Sequence, residues 1–199
     1  MDTEITTEQI KALRDQTGVS VMLCRKALEE AKGDIEKAKV ILQRKGADAA
    51  AKKSDRALGA GTVASYIHQG GTVGVLVELS SETDFVSGNE GFRALAYDIA
   101  MHIAASKPEF VKREDVSEEA LARAKEVLLK EVEGKPKEMQ EKILEGKLNS
   151  FFAEKILLEQ AFIKNPDQTV RNLIESAIQK FGEKIEVSRF TRYAAGNRS

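Results

Sequence analysis

An acid and an aromatic ring in one short connection are the residues of this sequence with the clearest chemical potential. The tetrapeptide Thr83-Asp84-Phe85-Val86 comes three residues after the apolar run at residues 73–79. Phenylalanine is usually buried, whereas connecting segments usually run over the surface. Phe85 therefore either fills the protein's own core, with Asp84 capping a turn, or inserts into another molecule. Residue types alone favour the first interpretation.

Side chains suited to covalent catalysis are few. The chain has two histidines, His68 in a predicted turn and His102 on a helix flank, and one cysteine, Cys24, on an apolar helix face. None lies in the spacing of a metal site, a phosphate-binding loop or a nucleophile motif. We interpret Cys24 as a small buried hydrophobe, His68 as exposed, and His102 as structural or interfacial. A small hydrolase or transferase is disfavoured, and no cofactor or metal is predicted.

Composition and charge limit the classes of partner. The chain has 199 residues, 42% hydrophobic and 32% charged, which suits one large domain or two small ones. A net charge of −1 gives no global attraction to nucleic acid or anionic membranes, and the basic run Lys52-Lys53 with Arg56 is too small for a nucleic-acid footprint. A single cysteine, an acidic start without a signal-peptide pattern and no transmembrane-length apolar run predict a cytoplasmic protein.

Three short helical patterns open the chain. The turn at Thr17-Gly18-Val19 ends the first helix, Ser20 can cap the second, and the third runs to Gly46. They predict a three-helix module over residues 1–46, similar to a ubiquitin-associated module. Residues 47–57 contain almost no large apolar side chain and are interpreted as a helical or flexible linker.

The next segments predict an antiparallel sheet with packed helices, at residues 58–110 and 156–199. A hairpin joins strands at 62–67 and 72–79, and the second strand is so apolar that both of its faces are expected to be covered. The other predicted elements are a helix from Asn89 to Lys107, a strand at 156–163, a helix from Pro166-Asp167 to Gly182, and a strand at 185–193 with a bulge between Val187 and Phe190.

A charged insertion separates the two parts of this core. Residues 111–155 carry two helical patterns with thin apolar seams, and Gly134-Lys135-Pro136 forms a turn between them. The pattern predicts an antiparallel helical hairpin that projects from the core. The whole chain is therefore predicted to have an α+β fold.

Eight sequence segments, read together, resemble bacterial elongation factor Ts in its short, single-core form. They lie in the family's order and span nearly the whole chain: residues 33–38, 50–53, 74–78, 82–86, 100–110, 134–136, 145–148 and 159–162. The sequence departs from the family at residues 88–91, which are unusually rich in glycine, and at Ala161, where proline is common. Long relatives have two core subdomains, whereas this chain has room for one, so a homodimer is expected.

The resemblance implies guanine nucleotide exchange on elongation factor Tu, an activity that needs binding and no covalent chemistry. It assigns Thr83, Asp84, Phe85 and Val86 to the element that enters the partner's nucleotide domain and disturbs its Mg²⁺ site. The aromatic ring would wedge between two helices of the partner, and the acid would engage polar groups beside it. Met101 and His102 would touch a second domain of the partner.

A non-enzymatic adaptor is the alternative. In that hypothesis the three-helix module binds a ubiquitin-like or helical partner, and the rest of the chain is scaffold. Phe85→Ala would then leave function intact, whereas changes near Gly18-Val19 would abolish it.

Overall fold

The structure is a computed structural model, and it describes residues 5–132 and 136–196. These residues form an α+β fold, as predicted, and of the predicted turn at 134–136 Gly134 and Lys135 lie outside them. The helices are α1 (Thr7–Thr17), α2 (Val21–Glu30), α3 (Ile35–Ala51), α4 (Asp84–Ser87), α5 (Glu90–Ser106), α6 (Glu118–Val132), α7 (Lys137–Ala153) and α8 (Val170–Phe181). The strands are β1 (Ala60–Ile67), β2 (Val73–Ser81), β3 (Ala161–Phe162), β4 (Asn165–Thr169) and β5 (Ile185–Ala194). Two short 3₁₀ turns lie at Arg113–Asp115 and Leu157–Glu159.

Helices α1 to α3 share one apolar cluster. Side-chain caps start all three helices, at Thr6, Ser20 and Asp34, and α1 ends at Gly18 in the left-handed conformation with φ of 68°. Leu13 and Cys24 are among the side chains buried between them, so the interpretation of Cys24 as a buried hydrophobe is confirmed. Small side chains and good caps explain how so short a segment builds its own core.

Helix α3 is longer than the sequence analysis predicted. It continues past Gly46 to Ala51, because residues 47–51 are mostly alanine, the best helix former. Gly46 is buried against α8, where a Cβ atom would lie 2.4 Å from Gln179 Nε2 and 3.2 Å from Glu175 Cβ. The Gln179 amide donates to the Leu42 carbonyl at 2.7 Å. The first part of the predicted linker is thus a helix that packs on the core.

The main sheet has the order β1-β2-β5, with antiparallel pairing throughout. Glu78 pairs with Arg189 and Leu79 pairs with Val187, so Ser188 is the extra residue of a bulge. This confirms the predicted irregularity in β5. The ladder between β2 and β5 ends at the pair Ser81 and Ile185, and Glu82 alone separates it from the Thr83-Asp84-Phe85-Val86 tetrapeptide.

Only one face of this sheet is covered. Val75, Val77 and Leu79 of β2 point into the main apolar cluster, which α5 and α8 also line. On the opposite face Leu76 is 51% exposed and Tyr193 is 72% exposed. The expectation that both faces of β2 are covered is therefore wrong, because the described helices that pack on the sheet lie on one side of it.

Helices α5 and α8 provide the apolar layer against the sheet. Phe92, Ala96, Ile99 and Ile103 are fully buried along one face of α5, as their spacing predicted. The Phe92 ring meets the Phe181 ring of α8 edge to face, with 6.0 Å between the ring centres. This layer fixes the start of α5, which directly follows α4.

Two boundaries near α8 differ from the prediction. Residues 165–169 form β4 and not the start of the helix, because Thr169 makes a capping box with Asn172 and starts α8 at Val170. The predicted strand at 156–163 is also wrong. Ile156 makes one bridge to Phe110, a 3₁₀ turn follows, and only Ala161–Phe162 pair with β4.

Helices α6 and α7 pack against each other. Lys147 of α7 pairs with Glu131 near the end of α6, and Ala124 in the middle of α6 shares a cluster with Phe152 at the end of α7. These contacts mean that the two helices run antiparallel, and projection of the pair from the core stays a prediction. No helix in the described residues has the length and apolar character that crossing a membrane requires.

Candidate functional site

The Thr83-Asp84-Phe85-Val86 tetrapeptide forms the N-cap and most of α4, a single helical turn between β2 and α5. Val86 is 3% exposed and belongs to the main apolar cluster, whereas Phe85 is 84% exposed. Adjacent residues of a helix point about 100° apart, so one can be anchored in the core while the other faces outward. The interpretation that Phe85 fills its own core is therefore wrong, and Val86 is the residue that does so.

Backbone hydrogen bonds connect α4 to the next helix. The Gly88 N–H donates to the Asp84 carbonyl at 2.8 Å, and the Asn89 N–H donates to the Val86 carbonyl at 3.0 Å. Asn89 Oδ1 then accepts from the Gly91 N–H at 2.8 Å and caps α5, as the sequence predicted. The glycine-rich residues 88–91 thus form an ordered junction.

Two carboxylates hold the segment that leads into α4. Glu183 accepts the Thr83 N–H at 3.0 Å and the Thr83 hydroxyl at 2.6 Å. In the reverse direction, Glu82 accepts the Lys184 N–H at 2.6 Å. We call these four residues the carboxylate clamp. The sequence analysis missed it, because its two halves lie about a hundred positions apart and neither has a local sequence signal.

The Glu82 half of the clamp also receives positive charge. Arg56 Nη1 lies 3.1 Å from Glu82 Oε1, and Lys184 Nζ donates to the Ser54 carbonyl at 2.7 Å. The Lys184 N–H and then Arg56 lower the pKa of Glu82, although partial desolvation opposes them. Glu82 is therefore ionised at neutral pH, and its role in this arrangement is to hold the chain.

The second predicted contact region lies on α5. Met101 is half-buried there, whereas His102 is 0% exposed. The Ile163 N–H donates to His102 Nδ1 at 3.2 Å, so Nε2 carries the proton and donates to Gln160 Oε1 at 2.9 Å. A direct contact between His102 and a partner is therefore wrong for this structure, because the ring is enclosed between α5 and the segment around β3.

The outward side of this region is apolar and aromatic. Tyr97 is exposed and meets the Tyr66 ring edge to face at 5.7 Å, and Ile163 is exposed on the neighbouring turn. Lys164 pairs with Asp98 at 2.7 Å and fixes that turn on α5. Within the described residues, no cluster of three or more His, Cys, Asp or Glu side chains could hold a metal ion. The geometry of both regions thus suits contact with another macromolecule.

Comparison with known proteins identifies the family. The family model described as Elongation factor TS matches residues 49–197. The chain belongs to the elongation factor Ts family. Elongation factor Ts of Desulforamulus reducens is 52% identical over 195 residues, which cover 97% of this chain and 90% of the relative. Elongation factor Ts of Carboxydothermus hydrogenoformans is 52% identical over 96% of this chain and 89% of the relative, and that of Thermotoga neapolitana is 48% identical over 97% and 98%.

These matches confirm the resemblance drawn from the sequence, and they give the chain the role of a translation elongation factor. The match to the elongation factor Ts model includes α4, the carboxylate clamp, α5 and the main sheet. The three relatives also cover the N-terminal helices, because each aligns with at least 96% of the chain. The exposed Phe85 therefore lies in a framework that elongation factor Ts proteins share along their length.

Proposed function

We propose that this protein releases GDP from elongation factor Tu, and that it does so in the cytoplasm by binding alone. The observation that carries the proposal is the 84% exposure of Phe85 on a helical turn that Val86 and the carboxylate clamp hold in place. An exposed phenylalanine on a fixed turn has apolar surface to bury in a partner. Asp84 is exposed beside it and supplies a charge for polar groups around the point of entry.

The proposed mechanism is a competition between two ligands of one GTPase. A GTPase holds GDP through its phosphate loop and a Mg²⁺ ion. The factor weakens GDP binding by the same ratio as GDP weakens factor binding. In our proposal the Phe85 ring enters between helices of the partner's nucleotide domain, and Asp84 beside it helps to disturb the Mg²⁺ site. GTP rebinds after GDP has left.

Phe85 alone is too weak for this task. Weakening GDP binding by about four decades requires roughly 5.5 kcal/mol of differential binding, whereas burying one phenylalanine gives about 1.5–3 kcal/mol. The remainder requires further surfaces. Val21, Met22 and Val40 expose apolar side chains on the N-terminal helices, and Tyr97 with Met101 does so on α5. We assign the additional contacts to these two surfaces, with His102 supporting the second from inside.

We also propose that the protein is a homodimer. The outer face of the main sheet exposes Val63, Ile67, Leu76 and Tyr193. A sheet face rich in apolar side chains is normally covered by another layer. A second copy supplies the same surface about a two-fold axis. Within one chain this face also carries the Glu78–Arg189 ion pair at 2.6 Å, and a two-fold axis can bring Glu78 of each copy beside Arg189 of the other.

Stopped-flow release of fluorescent GDP from elongation factor Tu tests the exchange function. Micromolar protein is expected to accelerate release, and Phe85→Ala is expected to reduce the acceleration about tenfold or more, which corresponds to about 1.4 kcal/mol. Phe85→Leu keeps part of the apolar surface and is expected to fall between the two. Val127→Ala is the matched control, because Val127 is similarly exposed but lies on α6. Absence of acceleration by the unaltered protein refutes the proposal.

A further inference from the structure

We infer that Glu183 is the positioning residue that presents Phe85, an inference that rests on the proposed exchange function. The carboxylate of Glu183 accepts both donors of Thr83, the N–H at 3.0 Å and the hydroxyl at 2.6 Å. Hydrogen bonds to an ionised acceptor are stronger than neutral ones, and two from one residue fix its orientation as well as its distance. Thr83 is thereby fastened to the turn between α8 and β5.

The start of α4 has no ordinary helix cap, and a contact from outside the helix holds its N-cap residue instead. Thr83 occupies the N-cap position of α4 with extended backbone angles, yet its side chain makes no cap hydrogen bond to α4. Its hydroxyl is engaged by Glu183 instead. A helix of four residues is too short to be stable by itself, since one hydrogen-bonded turn does not offset the cost of forming it. α4 therefore depends on contacts from outside the helix.

The position of Glu183 follows from the end of α8. Gly182 ends that helix in the left-handed conformation, with φ of 75°, and the chain then turns towards β5. The last paired residues of the sheet at this edge are Ser81 and Ile185. Beyond them, Glu82 faces Lys184 and Thr83 faces Glu183, and side-chain carboxylates replace the backbone carbonyls of the ladder. The carboxylate clamp thus extends the rigid sheet as far as α4.

Phe85 lies between two anchors as a result. Val86, the following residue, is buried in the main cluster, and Thr83, two residues before it, is held by Glu183. The exposed ring is consequently carried by a turn fixed at both ends. A backbone turn that is ordered before binding loses less conformational entropy in the complex, so more of the burial of Phe85 contributes to affinity. Removing the Glu183 anchor should therefore reduce the contribution of Phe85 to binding, although the Phe85 side chain itself is unchanged.

The first experiment measures α4 in the free protein. The Ser87 and Gly88 amides donate to the Thr83 and Asp84 carbonyls, so their hydrogen exchange reports whether the turn is formed. Glu183→Ala is expected to accelerate exchange at both amides about tenfold, and Glu183→Gln, which keeps an acceptor oxygen, by less. Glu109→Ala is the matched control, because that carboxylate pairs with Lys155 instead. Unchanged exchange at Ser87 and Gly88 overturns the inference.

The second experiment is a double-mutant cycle in the GDP release assay. Glu183→Ala is expected to slow release about tenfold in the wild-type background and to have almost no further effect with Phe85→Ala. Thr83→Val, which removes only the hydroxyl donor, is expected to show a smaller loss of the same kind. Equal losses from Glu183→Ala in both backgrounds overturn the inference, because Glu183 would then act independently of Phe85.

Different measurements test the exchange function and the positioning role of Glu183. If the exchange function is wrong, Phe85→Ala leaves GDP release unchanged, whatever Glu183 does. If the positioning role is wrong, amide exchange at α4 in the free protein is insensitive to Glu183→Ala, whatever happens with elongation factor Tu. A variant that has lost its fold is recognised because its α5 amides also exchange faster.

Discussion

The buried imidazole of His102 should make the stability of this protein depend on pH. Burial lowers the pKa of His102, and its hydrogen bond with Gln160 opposes only part of that effect. In the unfolded chain a histidine has a pKa of about 6.5. Below that pH the unfolded chain therefore binds a proton that the folded protein excludes. The free energy of unfolding is fully retained above about pH 6.5 and decreases as the pH falls, until the folded-state pKa is reached.

The size of the effect follows from this one proton. Lowering the pH from about 7.5 to about 5.5 reduces the free energy of unfolding by at most about 1.4 kcal/mol, the limit at which the folded protein stays neutral at His102 throughout. Protonation would also remove the acceptor at Nδ1 that the Ile163 N–H uses at 3.2 Å. The segment around β3 would then lose one of its hydrogen bonds to α5, which is a physical reason for the neutral form to be retained.

Urea denaturation at several pH values measures this dependence. His102→Gln is expected to be less stable than the wild type at every pH, and to lose the decrease in stability that the wild type shows between about pH 7.5 and about pH 5.5, which is at most about 1.4 kcal/mol. His68→Gln is the matched control, because His68 is the other histidine of the chain and is exposed. It is expected to keep the wild-type dependence.

The comparison between variants also cancels the contribution of a second titrating group, Glu175, to the pH dependence of stability. Burial raises the pKa of Glu175, so the folded protein keeps a proton there that the unfolded chain loses. That group makes stability decrease as the pH rises, which is opposite in sign to His102. It is present in the wild type and in both histidine variants, and so it cancels in their differences. If His102→Gln retains the wild-type pH dependence, the assignment of a neutral buried His102 is refuted.

Three further outcomes are expected. Gly46→Ala should lower the free energy of unfolding by about 1 kcal/mol, because its Cβ would displace the Gln179 side chain from its partly buried hydrogen bond to the Leu42 carbonyl. Gly146→Ala, at a helical position with open space around it, should raise it by about 0.5–1 kcal/mol, and chemical denaturation that gives the same sign for both contradicts the close packing at Gly46. The proposed dimer should become a monomer in sedimentation analysis on Leu76→Lys, with an unchanged circular dichroism spectrum, and a variant that stays dimeric rejects the sheet face as the interface. Phe92→Ala should lower the free energy of unfolding by about 3–5 kcal/mol, whereas Phe85→Ala should change it by less than about 0.5 kcal/mol, and equal losses in denaturation contradict the exposure of Phe85.

Regular elements with strong periodicity could be predicted from the sequence. The apolar spacing of α5 and the break in alternation at β5 were sufficient, because side chains on one face repeat at a fixed interval in either structure. The end of α3 was not found, since the absence of large apolar residues after Gly46 suggested a linker. The residues there are small because the helix continues and packs on the core: Gly46 lies close against α8, and Ala49 and Ala50 pack against the main apolar cluster.

The candidate site was only partly accessible from the sequence. Phe85 stood out by its residue type, but a single turn has no periodicity that distinguishes an outward ring from an inward one, and only the family resemblance favoured exposure. The Thr83–Glu183 contact and the His102–Gln160 contact join residues 100 and 58 positions apart. Such contacts depend on how the elements pack, so local patterns do not contain them.

The uninterrupted course of α3 has a geometrical consequence for the whole molecule. The first half of α3 packs in the N-terminal cluster and its second half lies on α8. One continuous helix therefore connects the exposed surface around Met22 to the core that carries Phe85. A flexible tether would tolerate changes of length, whereas a helix advances by about 100° and 1.5 Å with each residue. One residue inserted between Leu42 and Gly46 would rotate the N-terminal helices, and Met22 with them, by about 100° relative to the core. Insertions there preserve the relative orientation of the two surfaces only in steps near a complete turn, and each such step moves them about 5.4 Å further apart.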